Sequence, residues 1–400
     1  MHATESPAET SSIPGYVIEN ARVVTPEDVL ENASIGIKGR RIEGIGRATT
    51  GEYQHRINAR NQYLLPGFID LHCDAIEKAI QPRPGGQFPL GAAISELDKQ
   101  LAGCGITTMC HCICFMENNE SAVRSRAMAE RIAGHLHEHK DSLTVRNWVH
   151  ARLEITVDDA LPSIHSLLQD GHVQILSFMD HSPGQGQFAS KKHFNDYYSR
   201  ARNLPLDKVQ ALAEQRLAAK RRLGDSHLRE LADSCRKSNI PIASHDDDTP
   251  EKIHWMRDIG VSLSEFPVRI EAARCARKNG MHVLMGAPNI LRGHSLTGNL
   301  SGRKTIREGC CDVMASDFAP MSLLHAVFTL LDLGNHDLPA LVRLVTSHPA
   351  DVLGIGHEVG SIENGKLADL VLVDNTGPVP RITRTFVAGR QVFSSPPPKQ

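Results

Sequence analysis

The chain has 400 residues, with 44 basic and 46 acidic side chains and a formal net charge of −2, so no global field draws it onto nucleic acid or an anionic membrane. Hydrophobic residues make up 40% and charged residues 22%, the balance of a folded protein rather than a disordered or fibrous one, and the length suits one barrel of roughly 250 to 350 residues plus a smaller domain. No apolar run approaches the roughly 20 residues that span a bilayer, the polar opening MHATESPAETSSIPG lacks the core of a secretory signal, and nine scattered cysteines point to reduced thiols in the cytoplasm.

From Tyr16 the chain reads as short strands, YVIENARVVT, SIGIKGRRIEGIG and the run ending QYLLPG, with Asn, Gly and charged residues at the turns. From Pro66 onward, apolar strand-like runs alternate with helix-length stretches: GFIDLH, TTMCHCIC, VRNWVHARLEI, VQILSFMD, IPIASHD, GVSLSEFP, MHVLMGAPN and CDVMASDF. Eight such runs are the number a (β/α)8 barrel requires. The stretch from Asp196 to Cys235 reads as long amphipathic helix whose charges are expected to form only a solvated face. Near the other end, GSIENGKLADLVLVD and RTFVAGRQVF return to short strands broken by Asn-Gly and Ala-Gly-Arg. The expected fold class is therefore α/β. A (β/α)8 TIM-like barrel over residues 67–350 is inserted between the halves of a small β-sandwich domain, 14–66 and 351–395, and the SSPPPKQ tail is expected to be disordered.

In such a barrel the chemistry lies at the C-terminal strand ends while the strand bodies fill the core. Here the apolar runs stop at polar clusters: His72 with Asp74, Glu154, Asp180 with His181, His245 with Asp246, Glu265, Asn289 and Asp317. Taken singly, a strand-end histidine is more commonly structural, and Asp317 could merely cap the helix that follows. Taken together, His72, Asp74, His181, His245 and Asp317 would converge at one barrel mouth. Imidazole with carboxylate suits zinc, manganese or iron(II), whereas oxygen-only sites suit magnesium. A second cluster, Cys110, His111, Cys112 and Cys114 in MCHCICF, is set aside as a metal knot. Strand alternation puts its three cysteines on one face and His111 on the other.

The frame of a small β domain, PGFIDLH, histidines on middle strands and ASD on the last strand is similar to the amidohydrolase superfamily. Within it, the chain closely resembles the PhnM family, the triphosphate diphosphatases of the carbon–phosphorus lyase pathway. DLHCDAIEKAIQPRPGG, SFMDHSPGQGQF, ASHDDDTPE, SEFPVRIEAA, MGAPNILRGHSLTGN and ASDFAP carry the resemblance, from Pro66 to Pro320. His72-Cys73-Asp74 departs from the common His-x-His of the superfamily and matches the His-x-Asp of PhnM. The resemblance implies an amidohydrolase-type barrel that cleaves α-D-ribose 1-methylphosphonate 5-triphosphate to the 5-phosphate and pyrophosphate. It also implies one or two divalent ions, zinc first and manganese or iron as alternatives. No strand-end lysine is available as a bridging ligand, and Glu154 is favoured in its place over His150, which lies mid-strand. Arg83, Arg269 and Arg292 fall in the matched segments and are the expected phosphate anchors, with Lys78 and the Lys191–Lys192 pair as looser ones. Asp317 is expected to orient and deprotonate the attacking water. The partner is a small phosphorylated ribose, and a homo-oligomer stays open. The rival readings are a cyclic amide hydrolase of the dihydroorotase or hydantoinase kind, and a noncatalytic barrel kept as a scaffold.

Overall fold

The computed structural model describes residues 15–46, 53–115, 123–186, 191–201, 204–296 and 298–395. The C-terminal tail beyond Ser395, most of the N-terminal opening and the end of the DHSPGQGQF loop lie outside the described residues.

Strands β1 (Tyr16–Val24), β2 (Val29–Lys38), β3 (Arg41–Gly46), β4 (His55–Asn58) and β5 (Tyr63–Pro66) form one half of a sheet. The eight apolar runs become β6 (Phe68–Cys73), β7 (Ile106–Phe115), β8 (Arg146–Glu154), β9 (Ile175–Met179), β10 (Ile242–His245), β11 (Leu263–Glu265), β12 (His282–Gly286) and β13 (Val313–Ala315). The chain then returns through β14 (Leu370–Asp374), β15 (Arg381–Val387) and β16 (Arg390–Ser394) to the first sheet. That sheet runs β16-β15-β14-β5-β1-β2-β3, with β4 beside β1. The join between the two ends is β14 against β5, antiparallel, with Leu370 opposite Pro66 and Val373 opposite Tyr63. Alternating apolar residues of both halves, among them Ile18, Ile35, Ile37, Leu64, Leu370 and Phe386, share one core.

The eight middle strands pair in sequence, all parallel. Helices follow the strands, among them Leu90–Gly103, Arg126–Glu138, Leu161–Gln169, Pro250–Ile259 and Ser322–Asp332. Their apolar faces pack on the outer side of the barrel wall. The interior is plugged by Ile69, Leu71, Cys110, Ile175, Ala243, Leu263, Leu284, Val313 and Ala315, one or two inward side chains from most strands. The barrel shuts at its mouth between β13 and β6: Asp74 N–H donates to Asp317 O at 2.7 Å and Asp317 N–H to His72 O at 2.9 Å. Lower down, the same seam is bridged by the segment after the last strand, with Ile69 N–H donating to Val345 O at 2.9 Å and Met314 N–H to Leu344 O at 2.8 Å.

Two local devices matter for what sits at the mouth. A register shift between Asp70 and Cys73 in the β6–β7 pairing breaks strict alternation, so Leu71 can plug the interior while its neighbour His72 also reaches inward. Three residues just past strand ends, Asp246, Phe266 and Asp317, have left-handed backbone, at φ 55°, 51° and 60°. Each still donates its N–H to the neighbouring strand, to Glu265 O, Leu284 O and His72 O, all at 2.9 Å. The ladder is thereby prolonged by one bond while the chain turns sharply away. For side chains other than glycine such backbone costs about 1–3 kcal/mol each, and it clusters at functional sites. Among the described residues, no helix is long and apolar enough to cross a membrane, and all nine cysteines are free of disulfides.

Candidate metal-binding active site

The C-terminal ends of the strands surround a cavity of ≈ 380 Å³. His72, Asp74, His181, His245, Asp246 and Asp317 line it, together with Arg124, Arg152 and Arg292. Its two sides differ in how their polar groups are matched.

On the seam side, His72 and Asp74 from β6 meet Asp317 after β13. Burial first, and then the charge of Asp74, push the Asp317 carboxyl up to about 7. Asp74 Oδ1 is buried with no hydrogen-bond partner, and its Oδ2 lies 3.5 Å from Arg124 Nη2. Arg124 gives its closer bond, 2.7 Å from Nε, to Glu77. Below them, His72 Nδ1 lies 3.0 Å from Glu265 Oε1, and Ser177 Oγ donates to Glu265 Oε2 at 2.7 Å. Burial, reinforced by the Arg152 charge, holds the His72 pKa well below the ordinary histidine value. The imidazole is therefore neutral, as a metal ligand must be.

On the opposite side, His181 Nδ1 lies 2.7 Å from Glu154 Oε2, and Thr156 Oγ1 donates to Glu154 Oε1 at 3.0 Å. Arg216 donates to the His181 carbonyl at 3.1 Å and to Tyr198 Oη at 2.7 Å. His245 has Asp246 Oδ2 3.1 Å from its Nδ1 and Arg152 Nη2 3.2 Å from its Nε2. Burial opposes ionisation of Asp246, but His245, His181 and Lys252 outweigh it and bring its pKa to about 2.

The positions expected from sequence are met unevenly. His72, Asp74, His181, His245 and Asp317 line one cavity, and so does Arg292. Glu154 does not line it; both its oxygens are engaged by His181 and Thr156, so it holds His181 rather than standing open as a bridge. Arg83, in a turn closed by Gly86 N–H to its own carbonyl, and Arg269, before the helix Ile270–Lys278, are exposed and outside the lining, as is Lys78. Lys191 and Lys192 are likewise exposed and outside it. Asp180 is taken by Lys220 at 2.5 Å.

Two expectations change. The helix Leu206–Leu223 is not merely a solvated face: Arg216 is 6% exposed, and Lys220 reaches Asp180. The cysteines of β7 do lie on the face opposite His111, whose Nε2 pairs with Asn147 Oδ1 at 2.8 Å. Yet Cys112 meets His72 and mid-strand His150, the three side chains whose donor atoms all lie within 4.8 Å of one another. His150 Nδ1 is 2.7 Å from the Leu71 carbonyl, a backbone bond that needs its proton. We read this inner group as a support for His72. Sequence reading misses Arg124 and Arg152. Arg152 had a signal: it stands two residues before Glu154 on the same strand, so it shares that face.

Residues 63–392 match the model of the amidohydrolase family. The chain belongs to that family. It is 32% identical over 388 residues, covering 94% of this chain and 100% of the other, to the alpha-D-ribose 1-methylphosphonate 5-triphosphate diphosphatase of Escherichia coli (strain K12). Its fold is similar to that of the N-acetylglucosamine-6-phosphate deacetylase of Pasteurella multocida, with TM-score 0.64 and 13% identity over 95% of this chain and 100% of that one. It is also similar to that of the L-hydantoinase of Arthrobacter aurescens, with TM-score 0.64 and 16% identity over 95% of this chain and 96% of that one.

Amidohydrolases typically hold divalent metal ions, and the seam side of this cavity fits one. Asp74 Oδ1 is a buried oxygen with no donor. Two carboxylates near enough for Asp74 to raise the pKa of Asp317 call for a cation between them. With His72 Nδ1 against Glu265, the other ring nitrogen is the one left to a metal, an arrangement common for ligating histidines.

Proposed function

We propose that the chain is a metal-dependent hydrolase that splits α-D-ribose 1-methylphosphonate 5-triphosphate, with water, into the 5-phosphate and pyrophosphate, and that it works in the cytoplasm. The observation that carries this reading is the union, in one cavity, of a carboxylate–imidazole set with three arginines, Arg124, Arg152 and Arg292. A neutral cyclic amide gives such a cluster of cations nothing to neutralise, whereas a triphosphate gives each of them oxygens to bind. The relative in Escherichia coli, matched along its full length, agrees with that chemistry.

His72, Asp74 and Asp317 would hold the ion. When bound, a divalent ion makes water a stronger acid and neutralises phosphate oxygens. The protein's own groups do the rest. Asp317 faces the cavity beside Asp74 and is the carboxylate that takes the proton from the attacking water. Arg292, at the end of the short helix that follows β12, grips the outer phosphates, and Arg152 and Arg124 meet the oxygens that gain charge as pyrophosphate leaves. Asn289 keeps the Arg292 loop in place, its Nδ2 donating to Leu300 O at 2.9 Å and its Oδ1 accepting from Gly302 N–H at 3.0 Å. No covalent intermediate with the protein is needed.

The test is turnover of this triphosphate by the purified, metal-replete chain, followed by phosphorus NMR. Equal amounts of 5-phosphate and pyrophosphate are expected. Release of orthophosphate instead, or opening of a cyclic amide with the triphosphate untouched, would overturn the reading.

A further inference from the structure

We propose that the cavity holds a single divalent ion, on the side of Asp74 and Asp317, and that the Arg152 guanidinium is its second cation, fixed where a two-metal centre would carry its other ion. The inference rests on the reading that this cavity binds a metal, and it deepens that reading.

Arg152 lies near the C-terminal end of β8, is 9% exposed, and lines the cavity. Its Nη2 lies 3.2 Å from His245 Nε2. A guanidinium has only protons to offer, so at this contact the imidazole nitrogen is the acceptor. That nitrogen has one in-plane lone pair. It can accept the Arg152 N–H or bind a metal, and it cannot do both. The other nitrogen of the same ring faces Asp246 Oδ2 at 3.1 Å. His245, which by its strand-end position alone looks like a ligand, thus has its cavity-side nitrogen Nε2 taken by Arg152, while Nδ1 is buried with no hydrogen-bond partner.

The next strand offers no substitute. Glu265, at the end of β11, commits its two oxygens to His72 Nδ1 at 3.0 Å and Ser177 Oγ at 2.7 Å. The seam side is the converse: Asp74 Oδ1 is buried with no donor, and the nearest cation, Arg124, sits 3.5 Å from the other oxygen. Finally, Arg152 Nε is buried with no acceptor. An orphaned N–H of a charged group is expensive in a finished site, and an incoming phosphate oxygen is the partner that would satisfy it. Arg152 then does for the substrate's charge what a second metal would do, with no ion to lose.

The experiment needs no substrate, so it is independent of which phosphate ester the enzyme uses. Metal-free full-length protein is titrated with zinc or manganese by calorimetry, and the ions retained after desalting are counted by elemental analysis. About one ion per chain is expected for the wild type and for Arg152→Lys, which keeps the charge. Arg152→Met should admit a second ion, with exchange coupling in the manganese paramagnetic resonance spectrum. Two ions in the wild type, or one ion in a folded Arg152→Met, would overturn the proposal. Should Arg152→Met fail to fold, His245→Ala decides: retention of about one ion supports the proposal, and loss of all metal refutes it. A wild type that binds neither ion would refute this proposal together with the metal reading beneath it.

Discussion

The two sides of the mouth are built from the same residue types and are in opposite states. At the seam, Asp74 and Asp317 face one another with an unmatched buried oxygen, and the Asp317 carboxyl is pushed up to about 7 by burial and by that neighbour. Across the cavity, His181 is held by Glu154, His245 by Arg152, and Asp180 by Lys220. A histidine at a strand end is therefore not yet a ligand. What separates the sides is the kind of group left unmatched: a carboxylate oxygen of Asp74 at the seam, which suits a cation, and the Arg152 Nε–H across from it, which suits an anion.

The comparison is broken most severely by Asp317→Asn. Asparagine keeps the size and one acceptor oxygen, and it tolerates the left-handed backbone that Asp317 adopts at φ 60°. It cannot take a proton. We expect a folded protein that binds the triphosphate while kcat falls on the order of 10²-fold to 10⁴-fold, the scale of a lost general base. Single-turnover hydrolysis with metal content measured in parallel is the check. Wild-type turnover in a metal-replete variant would move the base to Asp246, which follows β10 and lines the cavity.

A histidine with no part in the mouth sharpens the contrast. His111, on the outer face of β7, is buried, and burial lowers its pKa from the ordinary 6.5 to about 4. In the folded chain it stays neutral down to about pH 4, whereas in the unfolded chain it takes a proton below about 6.5. Its contribution is thus whole above pH 6.5 and is lost as the pH falls toward 4, by about 3 kcal/mol at about 1.4 kcal/mol per pH unit. His111→Gln, which keeps a donor for Asn147, should remove that part of the acid sensitivity. Denaturant unfolding across this pH range measures it, and an unchanged pH profile in the variant would dismiss His111 as the cause. The ratio of triphosphate turnover by the variant to that of the wild type at neutral pH should stay near one, because nothing at the mouth has changed.

How much of this was legible in the sequence follows from the same physics. The eight strands were readable because each is an apolar run cut off by turn residues, and the mouth was readable because polar groups stand where those runs stop. Arg152 was hidden inside an apolar run, and only alternation with Glu154 marks its direction. Arg124 was hidden by distance: it meets Asp74 from 50 residues away, on a segment with no strand-end signature. Arg216 carried a signal that charge content masked. Val209, Ala213 and Arg216 fall at helical spacing on one stripe, and all three are buried. The approach of His150 and Cys112 to His72 depends on the register shift in β6, which no local pattern announces.

Glu265→Gln tests the seam from beneath. Glutamine fits the same space and keeps an acceptor, but it removes the charge that Glu265 sets against His72 Nδ1. Such outer partners of ligating histidines carry roughly 10-fold to 100-fold in metal affinity or activity. We expect a loss of that order in zinc affinity by competition with a chelator, with melting temperature near that of the wild type. Unchanged affinity would make Glu265 a packing residue of the barrel interior.

The smallest effect concerns which arginine meets the phosphates, and it separates position in the chain from position in the fold. Arg83 and Arg292 both stand in family-like segments after strand ends, yet only Arg292 lines the cavity. Arg292 ends the short helix Ala287–Arg292, and Asn289 of that helix ties the returning loop through Leu300 and Gly302. The guanidinium is thus carried by an anchored element, although its tip is exposed. Solvent weakens such a contact, so the expected loss is about tenfold in kcat/KM for Arg292→Ala, roughly 1.4 kcal/mol, with the change in KM rather than in kcat. Because no bond joins Arg292 to the seam carboxylates, metal content should not change. Arg83→Ala should stay within about twofold of the wild type, since its turn lies outside the lining and an exposed cation ordinarily does little. Steady-state kinetics on the triphosphate compare the two variants directly. Equal losses would mean that the substrate extends past the cavity to the Arg83 turn, and a loss at Arg83 alone would move the phosphate end from the loop after β12 to the one after β6.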